Sequence, residues 1–184
     1  MSLSTIILAA GKSTRMLSLK SKLLFKISGD PIIDHVYRTA KSVSSNEIIC
    51  VLGDSPKELL DFVKKNKLKT VLQKKPRGTA DAVKIAIKSK SIKNNDKILI
   101  LCGDVPFISS KSLKAIIKKT NDNDICLGTT LLENPSGYGR IVRQNNNIIK
   151  IVEEKDANNK IKKINEVNTG ILCIKEGVLR KYIQ

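Results

Sequence analysis

The loop at residues 8–16 (LAAGKSTRM) has the composition of a site that binds a phosphate or a base. A short apolar run ends there in small residues, followed by the basic residues Lys12 and Arg15. Small residues let backbone N–H groups approach a ligand closely, and an arginine offers two parallel donors to phosphate oxygens. The loop is not a Walker A motif, which would need a glycine in place of Ile6, and it also fails the G-x-G-x-x-G pattern. An ordinary strand-to-helix turn is the alternative.

Asp104 stands directly after the most apolar run of the chain, in the segment LCGDVP. If that run is a central strand of an open α/β sheet, its carboxyl end lies at the edge where ligands bind. A carboxylate at this edge can hold Mg²⁺ against a triphosphate. Alternatively, Asp104 only caps the turn before Pro106.

Gln73, Gly78 and Thr79 form a third candidate group. Gln73 ends a predicted strand and offers both an acceptor and a donor, as reading the edge of a base requires. Gly78 and Thr79 open a predicted helix, whose first N–H groups have no partner within the helix. A plain helix cap explains the Gly-Thr pair equally well.

Further polar residues border the predicted strands of the last third of the chain. They are residues 137–140 (GYGR), Glu153 and residues 168–170 (NTG). Amides, carboxylates and backbone groups of this kind hydrogen-bond sugar hydroxyls in binding sites. Individually, each segment could also be a turn.

The elements that must position these residues alternate in the first two thirds of the chain. Hydrophobic periodicity predicts strands at residues 4–9, 47–52, 70–73 and 97–102. It predicts helices at residues 31–44, with Pro31 in the first turn, and at 56–66, 79–90 and 109–119. This βαβα order predicts a parallel, right-handed open sheet.

The rhythm changes in the last third, where strands follow one another. We expect strands at residues 124–132, 139–143, 147–153 and 166–174, a mobile loop at 155–163, and a helix at 176–183. The prediction is an α/β fold with a mixed, mostly parallel sheet and helices on both faces.

Length and composition suit one domain over residues 1–184, with a hydrophobic content of 41%. Cys50, Cys102, Cys126 and Cys173 lie in or beside apolar runs without a CxxC pair, which favours small core residues over a disulfide or zinc site. His35 has no cluster of potential ligands near it in sequence, so we expect no metal role for it.

The first apolar run is short and follows no basic segment, so we expect no signal peptide. No apolar run approaches the ~20 residues of a membrane span. A cytoplasmic location and no membrane partner are the expectation.

The net charge is +17, from 34 basic and 17 acidic residues. This charge alone would fit a nucleic-acid partner. The basic residues are nevertheless spread over the whole chain, and 3 Phe, 3 Tyr and no Trp leave few rings for bases to stack on. We therefore expect no nucleic-acid partner, and a charge that attracts anionic substrates.

In order along the chain, the segments LAAGKSTRM, CGDVP, GYGRIV, IVEEKDA and EVNTGI resemble one family. This is the uridylyltransferase (pyrophosphorylase) domain of bacterial bifunctional N-acetylglucosamine-1-phosphate uridyltransferases / glucosamine-1-phosphate acetyltransferases. The resemblance runs from Ile6 to about Tyr182. It implies a Rossmann-like nucleotidyltransferase (nucleotide-diphospho-sugar transferase) fold. It also implies transfer of UMP from UTP to N-acetylglucosamine 1-phosphate, which gives UDP-N-acetylglucosamine and pyrophosphate for cell-envelope and peptidoglycan synthesis.

The resemblance also implies roles for individual residues. The nucleotide would be lined by Leu8, Ala9, Ala10, Gly11 and Gly103. The catalytic pair Arg15 and Lys22 would contact phosphates, and Asp104 would bind Mg²⁺. The uracil would be read by Gln73, Gly78 and Thr79. The N-acetylglucosamine moiety would be held by Gly139, Glu153 and Asn168.

The sequence departs from the family pattern at several points. Ser13 replaces a glycine, and Ser21 replaces the proline before Lys22, which loosens the placement of Lys22 and leaves Lys20 as a rival. Asp81 stands where a histidine or another polar residue is usual, and it adds negative charge near the nucleotide.

The family's domain continues past residue 184 with an asparagine that binds Mg²⁺ and then a left-handed β-helix. The expectation is therefore a C-terminally truncated domain without acetyltransferase activity. Another sugar-1-phosphate nucleotidyltransferase, or a nucleotide-binding fragment with little activity, are the alternatives.

Overall fold

A computed structural model describes residues 2–11, 21–44, 46–55, 57–75, 77–89, 92 and 97–183. The chain divides into two compact units, which we call unit 1 (Met1–Cys126 and Leu172–Gln184) and unit 2 (Leu127–Ile171). Within the described residues, no helix combines the length and the apolar character that crossing a bilayer requires.

The elements follow the predicted order. The strands are β1 (Leu3–Ala9), β2 (Lys26–Ile27), β3 (Asp30–Pro31), β4 (Ile48–Leu52), β5 (Lys69–Leu72), β6 (Lys97–Cys102), β7 (Ile125–Leu131), β8 (Arg140–Gln144), β9 (Asn147–Val152) and β10 (Glu166–Lys175). The helices are α1 (Ile32–Val43), α2 (Lys57–Lys65), α3 (Thr79–Lys88), α4 (Ser110–Lys119), α5 (Asn159–Lys162) and α6 (Glu176–Tyr182). Short 3-10 helices add Lys22–Leu24 and Glu154–Asp156.

Unit 1 contains a mixed, mostly parallel sheet. Strands β5, β4, β1 and β6 lie side by side and run parallel, and the end of β10 pairs antiparallel with β6. Ile6 is in register with Ile49 and Ile100, so these three side chains share one face. The predicted open α/β sheet is confirmed.

Helices cover both faces of this sheet. On the face of Ile6, the apolar side of α3 completes a core in which Ala86 is fully buried. On the opposite face, the Oγ1 atom of Thr5 lies 2.5 Å from the Oγ atom of Ser44, which directly follows α1. Helix α1 in turn contacts α4. Strands β1 and β6 are therefore buried in the middle of the unit.

Unit 2 is antiparallel. Strands β8 and β9 form a hairpin whose turn residues, Asn145 and Asn146, have φ of 48° and 65°. Asparagine tolerates this left-handed conformation, which two-residue hairpin turns need. Strand β8 also pairs with β10 through Arg140 and Val167.

Two expectations about local structure were wrong. Residues 155–163, expected to be a mobile loop, are largely helical, because the side chain of Asn158 caps α5 by accepting a hydrogen bond of 2.9 Å from the backbone N–H of Ile161. Pro31 is the N-cap residue of α1, with extended backbone, rather than a member of its first turn. The β2–β3 hairpin before it was not foreseen.

Candidate functional site

A cleft of about 360 Å³ lies at the carboxyl ends of β1 and β6 in unit 1. The two strands are parallel and in register, with Leu8 beside Cys102, so the segments that follow them emerge at the same edge. The cleft is lined by Leu8, Ala9, Ala10, Gly11, Lys22, Leu23, Gln73, Gly78, Thr79, Ala82, Cys102 and Asp104. The fold therefore brings together residues that the sequence placed in three separate motifs.

Lys22 and Asp104 face each other in this cleft, with the Nζ atom 2.5 Å from Oδ2. Lys22 begins the 3-10 helix that Ser21 caps, since the backbone N–H of Leu23 donates to the Ser21 Oγ atom at 3.4 Å. Leu23 and Leu24 are buried and anchor this helix. Ser21 thus supplies a cap where the family has proline. Lys20, the possible rival of Lys22, lies outside the described residues.

Glycines allow the strand ends to approach one another closely. The backbone N–H of Gly103 donates to the carbonyl of Leu8 at 2.9 Å, and a Cβ atom on Gly103 would lie 3.0 Å from that oxygen. A Cβ atom on Gly53 would lie only 2.7 Å from the carbonyl oxygen of Ala10. Sequence reasoning missed Gly53, although its position directly after the predicted strand at 47–52 was a usable signal.

Gln73 is 5% exposed and occupies the wall of the cleft after β5. Its backbone N–H donates to the carbonyl of Leu52 at 2.8 Å. Its Nε2 atom donates to the carbonyl of Gly78 at 3.2 Å and to Oδ2 of Asp81 at 2.8 Å. Gly78 is the N-cap residue of α3 with a φ of 100°, a conformation that favours glycine. The fold thus holds the Gln73 side chain against the start of α3.

The Cys102 thiol lines the cleft but is not activated as a nucleophile. Burial raises its pKa, the nearby Asp104 carboxylate raises it further, and Lys22 opposes them. A thiol with a raised pKa stays protonated at neutral pH and is a poor nucleophile. The cleft therefore suits binding and charge neutralisation rather than covalent catalysis through cysteine.

Asp104 is the carboxylate of the cleft that a cation could use. Its side chain is 37% exposed and shares the cleft with the Lys22 ammonium. No group of three or more potential metal ligands occurs among the described residues. Mg²⁺ commonly binds one or two carboxylates and completes its shell with water and substrate phosphates. The residues present fit a magnesium ion that arrives with a triphosphate.

Unit 2 brings together the three residues predicted to hold a sugar. The backbone N–H of Asn168 donates to the carbonyl of Gly139 at 2.8 Å. A Cβ atom on Gly139 would lie 3.1 Å from the Cγ2 atom of Ile151 and 3.2 Å from the Oε1 atom of Glu153, so a larger residue would push these side chains aside by a few tenths of an ångström. The Oδ1 atom of Asn168 accepts from the backbone N–H of Gly170 at 2.9 Å. Because the amide oxygen of Asn168 is used in this bond, its amide nitrogen faces away from Gly170 and can donate to a ligand.

An ion pair between a buried arginine and a partly exposed glutamate stabilises the turn before β8. The side chain of Arg140 is 2% exposed, and its NH2 group lies 2.7 Å from the Oε2 atom of Glu154. The same carboxylate accepts from the backbone N–H of Gly137 at 3.1 Å. Arg140 also donates to the carbonyl of Tyr138. These contacts fix the backbone on either side of Gly139, and sequence reasoning gave Arg140 and Glu154 no role of this kind.

Replacing Glu154 with glutamine is expected to lower the Tm only slightly at neutral pH, because solvent screens the ion pair of this partly exposed carboxylate. Arg140 above all, and then the Gly137 N–H, hold the pKa of Glu154 below its usual range. The stabilisation is therefore present above the unfolded-state pKa of about 4.3 and is lost as the pH falls through the lower folded-state pKa. Thermal unfolding at several pH values should show the Tm difference closing at acid pH. The exposed Glu133→Gln variant is the control, and a Tm difference that does not depend on pH would contradict the prediction.

Comparison with known proteins decides the family. The MobA-like NTP transferase domain family matches residues 5–143, more than half of the chain. The chain belongs to this family. The chain is 41% identical over 179 residues to the bifunctional protein GlmU of Buchnera aphidicola subsp. Acyrthosiphon pisum (strain Tuc7). This match covers 97% of the chain but only 39% of the length of the relative. The same-named protein of Buchnera aphidicola subsp. Schizaphis graminum (strain Sg) is 40% identical over 181 residues, with 98% and 39% covered.

The fold is shared with solved nucleotidyltransferases. A UDP-glucose pyrophosphorylase complexed with UDP-glucose superimposes with a TM-score of 0.75 at 18% identity. The match covers 98% of this chain and 78% of that one. The predicted fold class is confirmed by this likeness. Arg15, predicted to contact phosphates, lies outside the described residues, so its role stays a prediction.

Proposed function

We propose that this chain transfers UMP from UTP to N-acetylglucosamine 1-phosphate, giving UDP-N-acetylglucosamine and pyrophosphate. The observation that carries the proposal is the cleft at the carboxyl edge of the parallel sheet, which gathers Asp104, Lys22 and Gln73. Membership of an NTP transferase family and the relation to GlmU support it. The product would serve cell-envelope synthesis in the cytoplasm.

In the proposed reaction, a phosphate oxygen of the sugar phosphate attacks the α-phosphorus of UTP, and pyrophosphate leaves. Positioning and charge neutralisation dominate such transfers, because the protein forms no covalent bond to the substrate. Lys22 would donate to phosphate oxygens, with Arg15 as its predicted partner. Backbone groups of Ala10 and Gly11 would line the nucleotide. Asp104 would hold Mg²⁺, which supplies positive charge to the triphosphate when bound.

Unit 2 would bind the amino sugar. The Glu153 carboxylate can accept hydrogen bonds and the Asn168 amide nitrogen can donate them, while Gly139 is buried and holds the backbone of Asn168 through its carbonyl. An N-acetyl group carries one N–H donor and one carbonyl acceptor, so it matches this mixed set. A plain hydroxyl at the same carbon would leave part of the set unpaired.

Pyrophosphate release with UTP and Mg²⁺ tests the sugar assignment. We expect N-acetylglucosamine 1-phosphate to exceed glucose 1-phosphate in kcat/KM by about 10-fold to 10²-fold, because a hydrogen-bonding site rejects analogues that leave its polar groups unpaired. Asn168→Ala should lower kcat/KM for N-acetylglucosamine 1-phosphate and so reduce this ratio, while the kcat with glucose 1-phosphate should change less. Equal use of the two sugar phosphates would favour a different sugar-1-phosphate nucleotidyltransferase.

A further inference from the structure

We propose that Asp81 sets the orientation of the Gln73 carboxamide, and that this orientation makes the cleft select uracil over cytosine. The inference rests on the proposed function and on the predicted role of Gln73 in reading the base of the nucleotide. It gives a role to a residue that departs from the family pattern. Asp81 acts through Gln73 and is therefore a positioning residue.

The contacts of Gln73 determine which way its amide faces. Its Nε2 atom lies 2.8 Å from Oδ2 of Asp81 and 3.2 Å from the carbonyl oxygen of Gly78. A carboxylate and a carbonyl can only accept hydrogen bonds, so the nitrogen and not the oxygen of the amide must face them. The flipped amide would place the Oε1 atom of Gln73 against the oxygens of Asp81 and Gly78. Three acceptors would then meet without a donor around a side chain that is only 5% exposed.

Asp81 is the stronger of these two partners. Its bond is the shorter one, and it is assisted by the charge of the carboxylate. Asp81 also lies in the first turn of α3, where the helix N-terminus favours a negative charge. An asparagine of the same shape could turn its NH₂ group towards Gln73 and so admit the flipped amide.

This orientation of the amide determines what the Oε1 atom of Gln73 can do. Both hydrogens of the amide nitrogen are engaged, and no donor to Oε1 occurs among the described residues. The carboxamide therefore offers the cleft an acceptor. If the N3 edge of the base faces this acceptor, uracil places an N3–H donor opposite it, whereas cytosine places an N3 acceptor there. Two facing acceptors inside a buried wall disfavour the cytosine nucleotide.

Isothermal titration of the full chain with UTP and with CTP, each with Mg²⁺, tests this inference without requiring turnover. We expect wild-type protein to bind UTP more tightly than CTP by about 30-fold or more. Asp81→Asn should narrow that ratio by about tenfold, mainly through tighter binding of CTP. Asp61→Asn makes the same change on the exposed side of α2 and should leave the ratio as it is.

Several outcomes overturn the inference. They are equal affinities of the wild-type chain for UTP and CTP, an unchanged ratio in Asp81→Asn, and an equal loss of affinity for both nucleotides in that variant. The third outcome would show that Asp81 only supports the local fold. Failure of the proposed reaction looks different, because the chain would then bind UTP selectively and release no pyrophosphate. Pyrophosphate release together with unselective binding would contradict this inference alone.

Discussion

Replacing Asp104 with asparagine is expected to lower kcat/KM for pyrophosphate release by about 10²-fold to 10³-fold. The change removes the carboxylate charge from the cleft while keeping the size of the side chain. It also breaks the ion pair with Lys22, but both partners are partly exposed, so the effect on stability should be small. Steady-state assays at several Mg²⁺ concentrations, with Tm measured in parallel, would check the prediction.

The matched control for this variant is Asp54→Asn. Asp54 follows β4 at the same edge of the sheet, is exposed, and does not line the cleft. It should keep wild-type activity. If Asp104→Asn also stayed within a few-fold of the wild type, the assignment of Asp104 to the metal and the phosphates would be wrong.

Replacing Gly53 with alanine is expected to destabilise the fold by about 1–3 kcal/mol and to raise KM for UTP. The new Cβ atom would lie 2.7 Å from the carbonyl oxygen and 3.3 Å from the Cα atom of Ala10. Both contacts are to backbone, so the loop at Ala10 and Gly11 has to move away from β4. Denaturant unfolding and the KM for UTP measure the two effects separately.

Gly177→Ala provides the comparison for this variant. Gly177 lies in α6, and a Cβ atom there would meet nothing within 4 Å. Alanine should therefore leave KM unchanged and alter the stability by less than about 1 kcal/mol, in the stabilising direction. Equal effects of the two substitutions would show that the close approach of Gly53 to Ala10 has no importance for the nucleotide site.

The sheet of unit 1 could be predicted from the sequence because its strands are short, continuous apolar runs. Residues 97–102 illustrate this, since the predicted and observed bounds of β6 coincide. A carboxylate after a central strand then had to lie at the ligand-binding edge. The placement of Asp104 and Gln73 at one edge followed from that topology, whereas Lys22 was predicted only from the family resemblance.

Contacts between distant side chains could not be predicted in the same way. The bond between Gln73 and Asp81 joins the end of a strand to the first turn of a helix, and no periodicity reports it. The ion pair of Arg140 and Glu154 could not be predicted either, because charged residues such as these are usually exposed and the sequence does not show that they meet. The polar residues near Asn158 suggested a loop, yet one side-chain cap suffices to start α5 there.

The central claim is that this chain transfers a uridylyl group to N-acetylglucosamine 1-phosphate. The most direct measurement follows UTP radiolabelled on its α-phosphorus, incubated with the full chain, Mg²⁺ and N-acetylglucosamine 1-phosphate. The proposed function predicts that the label moves into UDP-N-acetylglucosamine while unlabelled pyrophosphate is released in equal amount. Label that stays in UTP, or that leaves as free UMP, would contradict it.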